Sequence, residues 1–432
     1  MCASSEPDAQ PHVLLLATQP WPTGARLGLA LHAVGFRVSI WSPRGHPLLM
    51  TNAADQHYPY GTVGTDSLET AILAASPHLI VPCDDPATSR LQRVAERALG
   101  DSRLSPILGA IERSLGPAAG LQKLTSRAFV LEVAAQGGVA VPSNARLSSS
   151  TDLRAWFHQY GFPAYLKADG TFGGSGVRPV HTYQQAEAAL RDLHAPPGTV
   201  RALKRLFIDH DPTLMGPLAR RQRPAISVQR SVSGVDVNSA IFCWRGQVLA
   251  SISVKVIAIS CERGPSTVVR RIQNADMDRA AEVLASRLRL SGFYGLDFIL
   301  DGQGEDGQGG TPWLIEMNSR ATQIAHLALG PGHDLAAAAF AAIGDVPVHP
   351  RPLLTTEKTI ALFPQEWDRD PASPLIKSAY HDVPWDAPEL VRSYVNQRPG
   401  LRVLTRQFWR GRPQRKQNVE TSTLSEIAAR LP

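Results

Sequence analysis

Two acidic residues and an amide occupy neighbouring segments that read as strands, and together they could hold a divalent cation. Asp297 lies in Gly295-Leu-Asp-Phe, and Ile315-Glu-Met-Asn carries Glu316 and Asn318 further along. Side chains alternate along a strand, so Glu316 and Asn318 are expected on one face, with Asp297 facing them across the pair. Carboxylate and amide oxygens are the ligands that Mg²⁺ prefers, with its other positions left for phosphates and water. The alternative is a set of separate surface carboxylates.

A lysine followed by a glycine-rich loop forms a second chemical pattern. Lys167 ends an apolar strand-like run, and the loop that follows contains Gly170, Gly173, Gly174, Ser175 and Gly176. Small residues let a loop lie close over an anion with its N–H groups directed at it, and the lysine supplies a point charge for phosphate. A Gly-Lys-Ser/Thr phosphate loop does not occur in the sequence. Taken alone, this loop is more simply a flexible turn between two strands.

A third pattern is a strand, a glycine turn and another strand between Ala225 and Ala240. Gln229 and Val232 precede the turn, and Asp236 follows it. Such a segment could bind adenine through its backbone groups, with Asp236 accepting hydrogen bonds from ribose hydroxyls. As an isolated pattern it is an ordinary hairpin.

In this order, the three patterns resemble the ATP-grasp superfamily. The run Glu316-Met-Asn-Ser-Arg320 looks like the metal-binding strand of biotin carboxylases, and the spacing from Gln229 to Asp236 looks like that of D-alanine–D-alanine ligases. Upstream, Leu121-Gln-Lys-Leu-Thr-Ser-Arg127 and Gly138-Val-Ala-Val-Pro142 are similar to the family's first ATP-contacting lysine and the exit of its following helix. The resemblance covers about residues 10–345.

The resemblance implies a chain of mixed α/β and α+β class. A Rossmann-like pre-ATP-grasp domain is expected at residues 1–118. A two-subdomain ATP-grasp domain that clamps ATP between antiparallel sheets is expected at 119–345, with its flap subdomain at about 140–228. Residues 346–432 are expected to form a small C-terminal extension.

The periodicity of the sequence predicts the first of these domains independently. Short apolar runs at 12–17 and 78–82 are typical of buried parallel strands, and 24–34 and 91–99 carry apolar residues at helical spacing. No GxGxxG pattern follows the first run, so a dinucleotide-binding domain is disfavoured. Strands dominate from 162 to 257.

The remaining predicted elements are helices and two late strands. The periodicity predicts helices at 126–136, 184–193, 276–290, 334–343 and 424–431. Two strands are predicted at 293–300 and 313–317, joined by a flexible glycine-rich linker.

The resemblance also implies a role for each matched residue. The residues expected to bind ATP are Lys123 and Lys167 (α- and β-phosphates), Gly173, Gly174, Ser175 and Gly176 (the cover over the β- and γ-phosphates), Gln229 and Val232 (adenine), and Asp236 (ribose). The residues expected to bind Mg²⁺, for which Mn²⁺ could substitute, are Asp297, Glu316 and Asn318. The residues expected to act on the transferred phosphoryl group are Arg320, Lys255 and Arg270.

The sequence departs from the family pattern in two places. Gln229 stands where the hinge usually offers a glutamate, and Gly295 stands where many ligases carry an arginine two residues before the first metal-binding acid. Arg263, Arg270 or Arg271 could replace that arginine. No biotin-carrier motif occurs, which argues against carboxylation of biotin.

The implied activity is that of an ATP-dependent, C–N-forming ligase. Such an enzyme activates a small-molecule carboxylate as an acyl phosphate and couples it to an amine, with release of ADP and phosphate. Amino acids, peptides or a biosynthetic intermediate are the expected substrates, and loops 18–26 and 261–266 are candidates to face them. The alternative is a regulatory nucleotide-binding module of the same fold without turnover.

Composition excludes other classes. The chain has 432 residues and a formal net charge of +6, with part of the excess in a basic tail from Arg402 to Lys416. This charge is too weakly concentrated to favour nucleic acid, and no apolar run approaches the roughly 20 residues of a membrane span. The four cysteines show no CxxC spacing, so a zinc site and a disulfide framework are disfavoured. A cytoplasmic protein is expected, and a homodimer is left open.

Overall fold

The computed structural model describes residues 10–61, 66–170, 176–195, 223–262, 264–302 and 309–395, with a few isolated positions between 198 and 221. Several expected features lie outside the described residues: Gly173, Gly174 and Ser175 of the cover loop, Arg263, the basic tail and the helix expected at 424–431. The described part is a mixed α/β structure with three sheets, so the expected fold class is confirmed.

The N-terminal part contains a four-stranded parallel sheet. Its strands are β1 (His12–Leu16), β2 (Arg37–Ser42), β3 (Gln56–Pro59) and β4 (Leu79–Pro82), in the order β3-β2-β1-β4. The helices that follow these strands are α1 (Pro22–Ala33), α2 (Asp66–Ala75), α3 (Asp85–Leu99), α4 (Ser105–Leu115) and α5 (Ala118–Leu121). β1 and β4 are buried along their whole length, which explains their uninterrupted apolar sequences.

A small antiparallel sheet follows. Its strands are β5 (Asn144–Leu147), β6 (Ala164–Ala168), β7 (Val177–Val180) and β8 (Ile226–Arg230), in the order β5-β8-β6-β7. One face packs on α7 (Ser150–Tyr160) and α8 (Tyr183–His194) and has a hydrophobic core of its own, which includes Leu166 and Val228. Because strand side chains alternate, Lys167 and Gln229 belong to the opposite face.

The large sheet has seven strands. They are β9 (Val235–Trp244), β10 (Gln247–Ile259), β11 (Ser266–Arg271), β12 (Gly292–Leu300), β13 (Pro312–Asn318), β14 (Thr359–Leu362) and β15 (Tyr380–Asp382), in the order β13-β12-β9-β10-β11-β14-β15. The long helices near it are α6 (Arg127–Gln136), α9 (Ala275–Leu288) and α10 (Leu335–Gly344). Apolar side chains from both faces of its central strands enter two hydrophobic cores, which the sheet shares with the parallel sheet.

The chain past residue 345 completes the large sheet. β14 pairs with β11, and β15 pairs with β14 in parallel. The short helices of this region are α11 (Gln365–Arg369), α12 (Pro374–Ser378) and α13 (Pro388–Val395). Leu390 and Val391 of α13 enter the same core as Leu48 of the N-terminal part. In the part of the chain that is described, every helix is too short or too polar to cross a bilayer.

A buried charged network fastens this C-terminal region to the rest of the protein. Asp382 of β15 accepts hydrogen bonds from Arg26 of α1, at 2.5 Å, and from Nε2 of His326, at 2.7 Å. Burial opposes ionisation of Asp382, but Arg26 and His326 outweigh it and hold the pKa of this carboxyl below its usual value. The network therefore joins three segments that are far apart in the sequence.

Replacing Asp382 with asparagine is expected to lower the free energy of unfolding by about 3–5 kcal/mol, because the substitution leaves the Arg26 charge buried without its partner. Urea unfolding followed by circular dichroism measures the change. Asp386→Asn, at an exposed position in the same region, is the matched control. Equal stability of the two variants would contradict a structural role for the network.

Candidate active site

The three oxygen-bearing residues expected to bind metal meet on one face of the large sheet. Asp297 of β12 lies directly opposite Glu316 of β13, and Asn318 lies opposite Gly295. The Asn318 amide nitrogen donates a hydrogen bond to Asp297 at 2.9 Å. On the other side, Asn238 of β9 pairs with Asp297 and donates to its second oxygen at 2.5 Å. The Asp297 carboxylate is therefore held in place by an amide on each side.

The environment of Asp297 disfavours its charged form. Burial and the neighbouring Glu316 carboxylate raise its pKa to about 6, against the amide hydrogen bonds from Asn238 and Asn318 and the charge of Arg320. A divalent cation at this point would compensate two carboxylates at once.

Gly295 packs closely against Thr322. A Cβ at this position would lie 2.2 Å from Cγ2 of Thr322, so a larger residue there, such as the arginine that many ligases carry, requires Thr322 to move. With glycine at this position, positive charge for the site comes from another element.

Arg127, the first residue of α6, brings a positive charge to this site. Its Nε and Nη2 donate to Oε1 of Glu316 at 3.1 and 2.8 Å, and its Nη1 donates to the carbonyl of Ala168 at 2.9 Å. Asp169 lies 3.9 Å from the same nitrogen. The guanidinium thus connects the large sheet to the end of β6 in the small sheet.

Lys167 reaches the same cluster from the small sheet. Its side chain is buried, and burial together with the charge of Arg127 lowers its pKa to about 8, against the attraction of Glu316 and Asp297. The next residue, Ala168, accepts a hydrogen bond from Arg127, which also binds Glu316, so the end of β6 lies beside the acidic pair.

The residues expected around the nucleoside lie along both sheets. Gln229 pairs with Tyr165 of β6 and shares the face of Lys167, whereas Asp236 shares the β9 face of Asn238 and is exposed. Val232 is partly buried in the connection between β8 and β9. Nε2 of Gln229 is buried and has no hydrogen-bond partner in the described part of the chain.

The residues on either side of the glycine-rich loop, Ala168 and Gly176, lie next to each other. The carbonyl of Gly176 accepts a hydrogen bond from the Ala168 amide at 2.9 Å, so the loop leaves β6 and returns to β7 at a fixed point. Lys123, in contrast, is exposed, and its ammonium lies 5.9 Å from the centre of the Phe129 ring. It lies in a short 3₁₀ turn that ends before Ser126, the N-cap of α6, whereas Arg127 is the first residue of that helix.

The structure does not bring Lys255 and Arg270 to the acidic cluster. They pair with each other across β10 and β11, and Lys255 also pairs with Val237, the neighbour of Asn238. Alternation therefore places both side chains on the face opposite to Asp297. Arg271 is the arginine of this pair of strands that shares the face of the acids.

Arg320 is held by the N-terminal part of the chain. Its Nε donates to Asp85, the first residue of α3, at 2.8 Å, and its Nη2 lies 3.5 Å from Oδ1 of Asn318. The preceding residue, Asp84, caps α3 and accepts bonds from the Thr18 amide and hydroxyl at 2.6 and 2.9 Å. This cap positions Asp85 opposite the end of β13.

A cleft opens between α3, α6 and the end of β13. It is lined by polar side chains of α3, by Arg127 and by the metal-strand residues Glu316 and Asn318. The candidate substrate loop 18–26 lies beside the start of α3, where the Thr18 amide donates to Asp84. Arg26, at the end of this segment, donates a hydrogen bond to Asp382. Gln323 donates to the carbonyl of Ser266, at the end of the other candidate loop, at 3.0 Å.

Three residues of this site were not assigned by the sequence analysis: Arg127, Asn238 and Asp85. A signal existed for Asn238, because it follows Asp236 by two positions and must share its face. Asp85 follows an N-cap aspartate and precedes a proline, a pattern typical of a helix start. Neither signal indicates a contact with a residue more than 50 positions away.

These sheets and their facing residues define the ATP-grasp fold, as the resemblance predicted. Among solved structures, the chain is similar to N5-carboxyaminoimidazole synthase from Aspergillus clavatus in complex with ADP and 5-aminoimidazole ribonucleotide. The two are 16% identical over 79% of this chain and 78% of that one, with a TM-score of 0.54.

The chain is also similar to the biotin carboxylase domain of 2-oxoglutarate carboxylase from Hydrogenobacter thermophilus, solved with MgADP, ADP and bicarbonate. That match is 14% identical and covers 79% of this chain and 71% of that one, with a TM-score of 0.54. At such identities the likeness establishes the fold alone.

Sequence comparison gives a shorter match. The chain is 33% identical over 81 residues to phosphoribosylamine–glycine ligase from Pseudomonas aeruginosa, a match that covers 18% of this chain and 19% of that enzyme. The chain thus matches about a fifth of the length of that curated relative. No model of a known protein family matches the chain.

Proposed function

We propose that this protein is an ATP-dependent ligase that activates a small-molecule carboxylate as an acyl phosphate and joins it to an amine. The observation that carries the proposal is the double contact of Arg127, which binds Glu316 of the large sheet and the carbonyl of Ala168, the residue after Lys167 in the small sheet. Cations suited to phosphate and carboxylates suited to a metal ion lie next to each other at the base of a glycine-rich loop. ATP with magnesium needs both sets of groups.

The nucleoside half of ATP fits the polar faces of the two sheets. The buried, unpartnered Nε2 of Gln229 can donate to N7 of adenine while the amide oxygen of the same side chain accepts from the adenine amino group. Asp236 is exposed on the adjoining strand and can accept from the ribose hydroxyls. In this arrangement the phosphates extend toward Lys167 and Arg127.

The donor set suits magnesium. Glu316, Asp297 and Asn318 offer hard oxygen atoms on one sheet face, and the described residues contain no cluster of three or more His, Cys, Asp or Glu side chains that would form an all-protein metal site. Magnesium commonly takes one or two carboxylates and fills its other positions with phosphates and water. When bound, it would offset the charge that develops on the transferred phosphoryl group.

The reaction then needs positioning more than covalent work by the protein. A carboxylate oxygen of the substrate attacks the γ-phosphorus, the bond to the β-phosphate oxygen breaks, and ADP leaves. An amine attacks the carbonyl carbon of the acyl phosphate, inorganic phosphate leaves, and the nitrogen loses a proton. Lys167, Arg127 and Arg320 supply positive charge around the phosphoryl oxygens.

ADP release in the presence of Mg²⁺, ATP and paired panels of carboxylic acids and amines tests the proposal. Release that depends on both an acid and an amine is expected, and a stable product amide identifies the pair. ATP binding without turnover on any pair would favour the regulatory nucleotide-binding module.

The pH dependence of kcat/KM for ATP is expected to be bell-shaped, with limbs near pH 6 and pH 8. Asp297, with a pKa of about 6, loses its charge as the pH falls through that value, and metal binding weakens. Lys167, with a pKa of about 8, loses its charge as the pH rises through that value, and phosphate binding weakens. Lys167→Arg is expected to remove the alkaline limb. A profile that is flat from pH 5 to 9 would contradict both assignments.

A further inference from the structure

Arg127 is fully engaged with residues of both sheets. Its side chain is only 11% exposed, and all three guanidinium nitrogens contact acceptors on two different sheets. Two of these nitrogens bind the same oxygen, Oε1 of Glu316, which is one of the residues expected to receive the metal ion. The third binds Ala168, which directly follows Lys167 and opens the glycine-rich loop.

The guanidinium is a charged group with a fixed fork of donors, so Arg127 needs acceptors or anions around it. Glu316 is 30% exposed and lies opposite Asp297, so a cation beside it offsets the repulsion between the two carboxylates. Separation of Arg127 from Glu316 is therefore favoured when other charged groups replace each of them.

We propose that Arg127 is a resident counterion for Glu316 that is exchanged for the metal ion when Mg·ATP binds. The metal ion takes over the compensation of Glu316, and the phosphates take over the compensation of Arg127. This inference rests on the proposed function, since it concerns the same nucleotide site. The exchange makes metal binding and ATP binding mutually dependent. The metal ion replaces Arg127 beside Glu316, and the ATP phosphates replace Glu316 beside Arg127.

The proposed exchange predicts that removal of Arg127 has opposite effects on metal affinity and on ATP affinity. A metal ion alone must displace Arg127 without offering it a new partner, so the free protein is expected to bind metal weakly. Removal of Arg127 should strengthen metal binding in the absence of nucleotide and weaken ATP binding. A residue that only supported the fold or only bound phosphate would not strengthen metal binding when removed.

Titration of the nucleotide-free, full-length protein with Mn²⁺, followed by water-proton relaxation, tests this without any turnover. Arg127→Met is expected to bind Mn²⁺ about 5- to 150-fold more tightly than the unaltered protein, the usual range of a coupling between sites. Arg178→Met, which removes an arginine paired with Asp192 on the other side of the small sheet, is the matched control and should leave Mn²⁺ affinity unchanged.

Two further variants keep the test decisive. Arg127→Lys retains the charge, so its Mn²⁺ affinity is expected to stay near that of the unaltered protein. This variant also provides a test if Arg127→Met fails to fold. Mn²⁺ binding by Arg127→Lys as tight as that expected for Arg127→Met would overturn the exchange. The double variant Arg127→Met with Glu316→Gln should bind Mn²⁺ no better than Glu316→Gln alone. Unchanged or weaker Mn²⁺ binding by folded Arg127→Met overturns the inference.

The ligase proposal and the Arg127 exchange can fail independently of each other. Failure of the unaltered protein to bind ATP at all would overturn the ligase proposal. The Mn²⁺ comparison between variants would still decide whether Arg127 competes with metal for Glu316.

Discussion

Glu316→Gln is expected to lower kcat by about 10²- to 10³-fold, the loss that follows removal of one preorganised electrostatic group from an active site. Glutamine keeps the size of the side chain and one oxygen but removes the negative charge opposite Asp297. Magnesium then loses one of its two carboxylates, and Arg127 loses the partner of two of its nitrogens. Steady-state ADP release, with circular dichroism to establish that the variant is folded, measures the effect. Asn318→Ala should change the rate in the same direction.

Glu282→Gln is the matched control for this substitution. Glu282 is exposed on α9, so the same chemical change there should leave kcat within about twofold, as surface substitutions generally do. A folded Glu316→Gln protein with a rate close to that of the control would exclude Glu316 as a metal ligand.

Lys167→Met is expected to raise the Kd for ATP by about 10- to 150-fold, because one charge-assisted hydrogen bond contributes about 1.5–3 kcal/mol. The methionine retains the buried stem of the side chain, so the hydrophobic packing of β6 is preserved while the charge near Glu316 and Asp297 is lost. Isothermal titration calorimetry with ATP and Mg²⁺ measures the affinity.

Substitutions of two other lysines serve as comparisons for the effect of Lys167→Met on ATP affinity. Lys377→Met, at an exposed position of α12, should leave ATP affinity unchanged. Lys123→Met decides between the sequence-based expectation, in which Lys123 holds phosphate, and the observed geometry, in which Arg127 reaches the site. An effect of Lys167→Met no larger than that of Lys377→Met would remove Lys167 from the nucleotide site.

The sequence predicts the centre of this site well because strand alternation is a local rule. Glu316 and Asn318 had to share a face, and the glycine-rich linker after Asp301 made antiparallel pairing with Asp297 the natural geometry. In the observed register Asp297 lies opposite Glu316, on the face that this argument expected.

Residues whose position depends on register between distant strands could not be predicted in the same way. The faces of Lys255 and Arg270 are set by pairing with Val237 and with each other, and a shift of one residue would have turned both toward the acids. Similarly, Lys123 lies in a short 3₁₀ turn and Arg127 begins α6, on either side of the N-cap Ser126. Only the tertiary packing of α6 against β13 decides which of the two reaches Glu316.

At the level of the fold, uninterrupted apolar runs and long periodic helices were predictable. β1, β4, α9 and α10 follow from apolar runs or helical spacing within a few residues of their observed bounds. The four residues of β14 and the three of β15 are too short to carry a period. Their pairing with β11 depends on contacts that a local pattern does not contain.

The late arrival of β14 has a consequence for how the protein is made. During synthesis β11 leaves the ribosome nearly 90 residues before its neighbour Thr359–Leu362 does, and until then its outer N–H and C=O groups face water as an open sheet edge. Such an edge can pair with another nascent chain. Emergence of β14, rather than completion of the metal strand at Asn318, therefore ends the period in which this edge is open.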